Sequence, residues 1–245
     1  MKRIAVVTRS GQGQAPRPRI SVVIPAVNEC ASIAGAVASA IPGAEEVIVI
    51  DGGSTDGTRE VAAAAGARVG RAARGRARQM NEGARVASGD ALVFLHADTT
   101  LPDGYADRVR EALAMPGVVL GGFEFLAVGT WRSRWVTSFV RMRSRAMRFP
   151  YGDQAIFVRA GTFRDIGGYP DLPVMEDWEF VHRAKRLGRV VIVPDIAMTS
   201  GRAWEEHGYF PVALVNASVV AGFLVGVDPH RLAAWRRRIG PRSDA

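Results

Sequence analysis

From Ile20 onward, short β-branched runs ended by Pro, Asp or Gly alternate with Ala-rich stretches of helical character. Ile20-Ser-Val-Val-Ile24 before Pro25, and Val47-Ile-Val-Ile50 before Asp51-Gly-Gly-Ser-Thr-Asp-Gly57, read as buried strands, because unbroken apolar runs bounded by turn residues suit a sheet covered on both faces. Between them, Asn28 to Ala40 reads as a helix with a polar start and a Pro42-Gly43 stop. Helices are expected at Thr58 to Ala65 and Arg76 to Ala87, then a strand at Ala91 to Leu95, a helix at Pro102 to Ala114 and a strand at Val118 to Val128. Beyond an arginine-rich stretch, Ala155 to Val158 is a strand, Met175 to Leu187 a helix stopped by Gly188, and Val190 to Val193 a last strand before Pro194. This order predicts an α/β fold with a mainly parallel sheet flanked by helices. Residues 1–18 are expected to form a flexible tail, 19–200 the α/β domain and 201–245 a helical extension.

Composition narrows the setting. The single cysteine, Cys30, excludes an internal disulfide. The only apolar run near the start, Ile4 to Val7, is too short for a signal-peptide core, so a cytoplasmic location is expected. The net charge of +8 favours anionic partners: phosphates, nucleic acid or an acidic membrane face. Pro211 to Val227, interrupted by Asn216 and Ser218, falls short of the roughly 20 apolar residues of a spanning helix. It either packs on the core or, with the basic Arg231 to Arg238 behind it, makes peripheral contact at the inner face of the cell membrane.

In parallel α/β sheets ligands bind beyond the carboxyl ends of the strands, so the polar residues there are the candidates for chemistry. Asp98, after the strand Ala91 to Leu95, fits either a ligand to a hard divalent cation or a cap of the turn into Pro102. Asp51 lies in a Gly-rich turn where a carboxylate meets base or ribose, and Asp56 there fits a cap of the next helix. Glu176 and Asp177 open a helix, where they serve equally as caps or as a base for an attacking hydroxyl.

Taken together and in order, these segments resemble family 2 glycosyltransferases of the GT-A type. The resemblance is carried by Ser21 to Pro25 with Asn28-Glu29, by Val49 to Thr58, by Gly75-Arg-Ala-Arg-Gln-Met-Asn81 with Gly83, by Leu95-His-Ala-Asp98 and by Glu176-Asp177. Phe94-Leu-His-Ala-Asp-Thr, Tyr151-Gly-Asp-Gln-Ala-Ile-Phe and Ile166-Gly-Gly-Tyr-Pro resemble the subgroup associated with radical SAM and selenium-related domains, some relatives of which carry a carotenoid-acid glycosyltransferase name. The resemblance implies a Rossmann-like GT-A fold, a nucleotide-diphosphate sugar donor, Mg2+ or Mn2+ as cofactor and inversion at the anomeric centre. It implies that Asp98 binds the metal, that Asp177, paired with Glu176, is the catalytic base, and that Pro25, Asn28, Glu29, Asp51, Arg76, His96 and Arg202 face the donor. Asp153, Gln154, Trp178 and Trp204 are assigned to the acceptor side, for an acceptor that the sequence does not name. Two positions depart from the family pattern: Gly52 replaces a second Asp, and His96 replaces the Asp that often begins the metal motif.

Other nucleotide-binding enzymes fit less well. Gly11-Gln-Gly13 precedes the first strand and lacks a third glycine, and no phosphate loop ending in Lys and Ser or Thr follows any strand. Arg132, Arg134, Arg141, Arg143, Arg145 and Arg148, interleaved with Trp131, Trp135 and Phe139, leave open a non-catalytic protein that binds anionic ligands or a membrane surface. Nucleic acid is the less favoured partner for that segment.

Overall fold

The structure is a computed structural model and describes residues 17–128, 142, 147–200 and 208–239. Most of the expected tail, the arginine-rich segment except residues 142 and 147–149, and both Arg202 and Trp204 lie outside the described residues.

One sheet runs β3-β2-β1-β4-β7-β6-β8-β5. Its members are β1 (Ile20–Ala26), β2 (Glu46–Asp51), β3 (Arg68–Arg71), β4 (Ala91–Phe94), β5 (Thr99–Thr100), β6 (Val118–Val128), β7 (Ile156–Arg159) and β8 (Arg189–Ser200). Strands β3, β2, β1 and β4 are mutually parallel, as are β6 and β8, whereas β7 runs antiparallel to both β4 and β6. The helices are α1 (Ile33–Ala40), α2 (Thr58–Ala64), α3 (Arg76–Val86), α4 (Tyr105–Ala114), α5 (Ala160–Ile166), α6 (Glu176–Leu187), α7 (Tyr209–Leu224) and α8 (Pro229–Ile239).

Strand periodicity divides the core in two. Ile20, Val22 and Ile24 of β1, with Ala91 and Val93 of β4, pack on the face covered by α1 and α4. Val23, Leu92 and Phe94 point the other way, onto Ala77 and Met80 of α3, Phe163 of α5 and Phe180 of α6. A β-carbon at Gly83 would lie 2.3 Å from Val23 Cγ1, so α3 can rest on β1 only with a glycine there.

Three expectations are corrected. The first helix begins at Ile33 rather than Asn28, because the backbone N–H groups of Asn28, Glu29 and Cys30 bond to the side chains of Ser54, Thr58 and Asp56 instead of a helical ladder. Strand β8 does not stop at Pro194. Phe123 pairs with Val193 and Glu124 with Ile196, so Pro194 and Asp195 form a bulge, the one interior place where a strand accommodates proline. The short β3 and α5 were not anticipated; β3 has arginines at both ends, and α5 follows β7 without an intervening turn.

The C-terminal helices dock on the start of α6. Val219 of α7 and Leu232 and Ala233 of α8 close a small apolar cluster over Val174 and Met175. Helix α7 buries Val212, Val215 and Val219 and leaves Leu214 and Leu224 exposed, so the apolar run does pack on the core along one side. Among the described residues no helix is long and apolar enough to cross a membrane.

Replacing Gly83 by alanine forces α3 off β1. Urea unfolding of Gly83→Ala is expected to show a loss of about 1–3 kcal/mol, the usual effect of overpacking a tight interface; an unchanged midpoint would mean that α3 has room to move.

Candidate active site

The parallel strands β1 and β2 end together, Ala26 pairing with Asp51, and the loops beyond them are knitted by side-chain to backbone bonds. Asn28, in the left-handed region at φ 55°, accepts from Thr55 N through Oδ1 at 3.0 Å and donates its own N–H to Ser54 Oγ at 2.9 Å. Asp56 accepts from Cys30 N at 3.0 Å and Thr58 N at 3.1 Å, and the Thr58 hydroxyl also donates to it, so it joins the two loops as well as steadying the start of α2. Asp51 is 1% exposed and accepts from Ser54 N at 3.0 Å and Gly53 N at 3.2 Å. Of the expected donor residues, Pro25 and Asp51 are therefore buried under the loop they shape, while Asn28 is exposed and Glu29 partly so.

Gly52 has a physical reason. A β-carbon there would lie 2.7 Å from Val27 Cγ2 and 2.9 Å from Gln79 Cδ. Gln79, 2% exposed on α3, donates to Ala26 O at 2.9 Å and Ile50 O at 2.8 Å and so fastens α3 to both strand ends. The departure from the family pattern at 52 thus goes with a buried amide that occupies the space.

Helix α3 then places Arg76 against the start of α6. Arg76 Nε donates to Glu176 Oε1; Glu176 is 1% exposed, and its Oε2 has no hydrogen-bond partner among the described residues. The charge of Glu176, followed by those of Asp177 and Asp153, holds the Arg76 guanidinium above its usual range, against the opposing effect of burial. Asp177 Oδ2 accepts from Gly152 N at 2.9 Å and Oδ1 from Trp178 N at 2.7 Å, so it is held by the short 3-10 turn Gly152–Gln154 as well as by its own helix. A β-carbon on Gly152 would stand 2.7 Å from His96 Nε2 and 3.5 Å from Asp177 Oδ2, which brings His96, Gly152 and Asp177 together. Burial, with the Arg76 charge beside it, lowers the His96 pKa to about 3, so the imidazole is neutral at physiological pH.

Asp98 lies partly buried in the turn between β4 and β5. Thr99 Oγ1 donates to its Oδ1 at 3.3 Å, and Ser200 N to its backbone oxygen at 3.0 Å. Helix α4 begins at Tyr105 with Gly104 as its N-cap, so Asp98 does not cap that helix. Among the described residues no group of three or more His, Cys, Asp or Glu side chains could hold a metal ion.

On the expected acceptor side, Asp153 is partly buried and close enough to act on Arg76. Gln154 is fully buried, with Nε2 donating to Phe123 O at 2.8 Å and Oε1 accepting from Tyr151 N at 3.1 Å. Trp178 stacks on His182 and meets Phe149 and Phe223, which ties α6 to α7. Asn28, Ala155 and Met175, three non-glycine residues at positive φ, all fall in these loops; such backbone costs roughly 1–3 kcal/mol each and clusters where a site needs it. One residue escaped the sequence reading: Arg236 of α8, whose charge environment includes Arg76, Glu176 and Asp177. Its signal is helical spacing, since it follows the buried Leu232 and Ala233 by four and three positions.

Residues 21–166, more than half of the chain, match the family model described as Glycosyl transferase family 2. The chain belongs to that family. Over 180 residues this family 2 glycosyltransferase is 31% identical to a PGL/p-HBAD biosynthesis glycosyltransferase of Mycobacterium bovis, across 66% of this chain and 68% of the relative. Among solved structures it is similar to glucosyl-3-phosphoglycerate synthase from Mycobacterium tuberculosis in complex with Mn2+, UDP and phosphoglyceric acid. That likeness has a TM-score of 0.58 at 23% identity and covers 80% of this chain and 76% of the other. It is also similar to a mannosyltransferase from Pyrobaculum calidifontis in complex with GDP-Man and Mn2+, with a TM-score of 0.53 at 21% identity over 75% and 57% of the two chains. These likenesses bear out the GT-A fold.

The pair of Arg76 and Glu176 is expected to behave as a buried ion pair. Arg76→Met leaves the Glu176 charge unanswered and should lower stability by about 3–5 kcal/mol, whereas adding Glu176→Gln should restore much of that loss. Urea unfolding of the two single variants and the double variant measures this, and additive losses would show that the two side chains do not depend on each other.

Proposed function

We propose that this family 2 glycosyltransferase moves a sugar from a nucleoside diphosphate sugar to an acceptor hydroxyl with inversion at the anomeric carbon. The observation that carries the reading is the meeting of Asp177, Glu176, Arg76, His96 and Gly152. Arg76 and His96 reach it from just beyond the parallel strands, where α/β sheets bind ligands. Asp177 accepts the proton of the acceptor hydroxyl as that oxygen attacks the anomeric carbon. The bond from that carbon to the diphosphate breaks, and the diphosphate leaves with the bonding electrons. Each Asp177 oxygen accepts one N–H bond and keeps a lone pair for the proton. Glu176 keeps Arg76 in place, and the guanidinium, with Arg202, faces the growing charge of the leaving group. Pro25, Asn28, Glu29 and Asp51 form the floor and rim of the base and ribose site, and the neutral His96 serves the ribose as a hydrogen-bond partner.

The residues fit a divalent cation of the hard type. Asp98, a partly buried carboxylate in the turn after β4, offers the hard oxygen ligand that Mg2+ or Mn2+ takes together with phosphate and water. When bound, the ion neutralises diphosphate charge. The Mn2+ complexes of the two similar solved structures, with UDP in one and GDP-Man in the other, support donor and metal together. Asp153 and Trp204 are proposed to face the acceptor, with Gln154 and Trp178 shaping that side through the packing described above. The Tyr151-Gly-Asp-Gln and Ile166-Gly-Gly-Tyr motifs support placing the chain nearest the radical SAM and selenodomain-associated subgroup, and with it a lipid or carotenoid-like acceptor. Exposed Leu214, Leu224, Val225 and Ile239 beside Arg231, Arg237 and Arg238 support peripheral contact with an anionic membrane, tested by sedimentation with anionic vesicles at low salt.

Titration calorimetry tests the donor and metal assignment. UDP or GDP should bind in Mn2+ at least ~10-fold more tightly than in EDTA, and Asp98→Ala should erase that difference. Nucleotide binding indifferent to metal would remove Asp98 from the role. With a donor panel and product detection by mass spectrometry, Asp177→Asn should keep nucleotide affinity and lower kcat by a factor on the order of 10² or more; unaltered turnover would leave Asp177 a purely structural residue.

A further inference from the structure

The C-terminal helix α8 reaches the site. Leu232 and Ala233 are buried against Val174 and Met175, the two residues that lead directly into Glu176 and Asp177. Arg236 stands one helical turn further along the same face of α8. Its Nε is buried and has no hydrogen-bond partner among the described residues, in a residue otherwise partly open to solvent. Nearby, Glu176 Oε2 is buried and likewise unpartnered among the described residues, its other oxygen being held by Arg76. A guanidinium left this way is unusual, because buried donors are nearly always met, and the more so when charged.

We propose that Arg236 binds phosphate or carboxylate oxygens of a ligand in this site, which makes α8 part of the active site. Its surroundings support this. Burial and the like charge of Arg76 lower the Arg236 pKa, and the attraction of Glu176 and Asp177 does not make up the difference. The arginine thus lies within the influence of Glu176 and Asp177 with its Nε enclosed and no acceptor for it among the described residues, and an anion supplies that acceptor. A flat guanidinium offers paired donors that match such oxygens. The inference rests on Asp177 facing the acceptor as proposed above. The anion then belongs either to the donor's diphosphate or to a charged group on the acceptor.

Calorimetry on the full chain separates these. Wild type, Arg236→Met and Arg236→Lys are titrated with UDP in Mn2+, and then with inorganic phosphate after saturation with UDP and Mn2+. Arg236→Met should weaken one of the two bindings by about 10-fold or more, with the Lys variant in between. A loss on UDP assigns the anion to the donor, and a loss on phosphate assigns it to the acceptor. The melting temperature of the ligand-free Met variant should stay the same or rise, since an under-compensated buried cation is replaced by an apolar chain. Should that variant not fold, Arg236→Lys carries the comparison alone. Equal affinities of wild type and variants for both probes would overturn the proposal and leave the nucleotide-sugar reading intact. A wild-type chain that binds neither probe would overturn both.

Discussion

A carboxylate closed off from water must be answered by a cation, and in this protein that demand joins the two halves of the site. Glu176 opens α6, and Arg76 opens α3 on the same face of the sheet. Because the two helices start at opposite ends of one ion pair, the residues around them have little freedom. Asp177 follows Glu176 and accepts from the backbone of Gly152, and His96 is held neutral chiefly by burial, with the charge of the guanidinium that pairs with Glu176 adding to it. Three acidic residues, Glu176, Asp177 and Glu179, stand in the first turn of α6, at the positive end of the helix dipole.

Around this pair the loops are kept in shape by short polar side chains and by amides. Gln79 fastens α3 to the ends of β1 and β2, and Asn81 exchanges two hydrogen bonds with the backbone of Tyr169, at 2.8 and 2.9 Å. The second of these also accounts for the Gly167-Gly168 pair. A β-carbon at 168 would stand 2.7 Å from Asn81 Oδ1, and both glycines have positive φ. What looks in sequence like a string of ligand-binding residues is thus partly a set of buried clamps that bring the exposed ones into register.

The parallel part of the fold is legible in the sequence because β1, β2 and β4 are buried on both faces and so read as unbroken apolar runs. The carboxylates proposed for the site, Asp98, Glu176 and Asp177, stand out through their place after strands or at a helix start. The continuation of β8 is not, since proline ordinarily ends a strand and only the tertiary pairing with β6 shows the bulge that admits it. Nor are the functions of Gln154 and Trp178 visible from their positions, because each is decided by contacts to distant segments, Phe123 O for one and Phe223 of α7 for the other. Arg236 is hidden for a different reason: in a run of arginines, only the burial of Leu232 and Ala233 shows which one turns inward.

The docking of α8 on Val174 and Met175 also orders events in time. Ribosomes add about 5–20 residues per second, so α8 is completed about 3–10 s after α6. Until then the sheet can fold, while the apolar cover of Val174 and Met175 is incomplete and Arg236 is not yet beside Asp177. The docking of α8 therefore comes late, after the scaffold it rests on, and the interval leaves an apolar patch next to nascent acidic groups for a chaperone to shield.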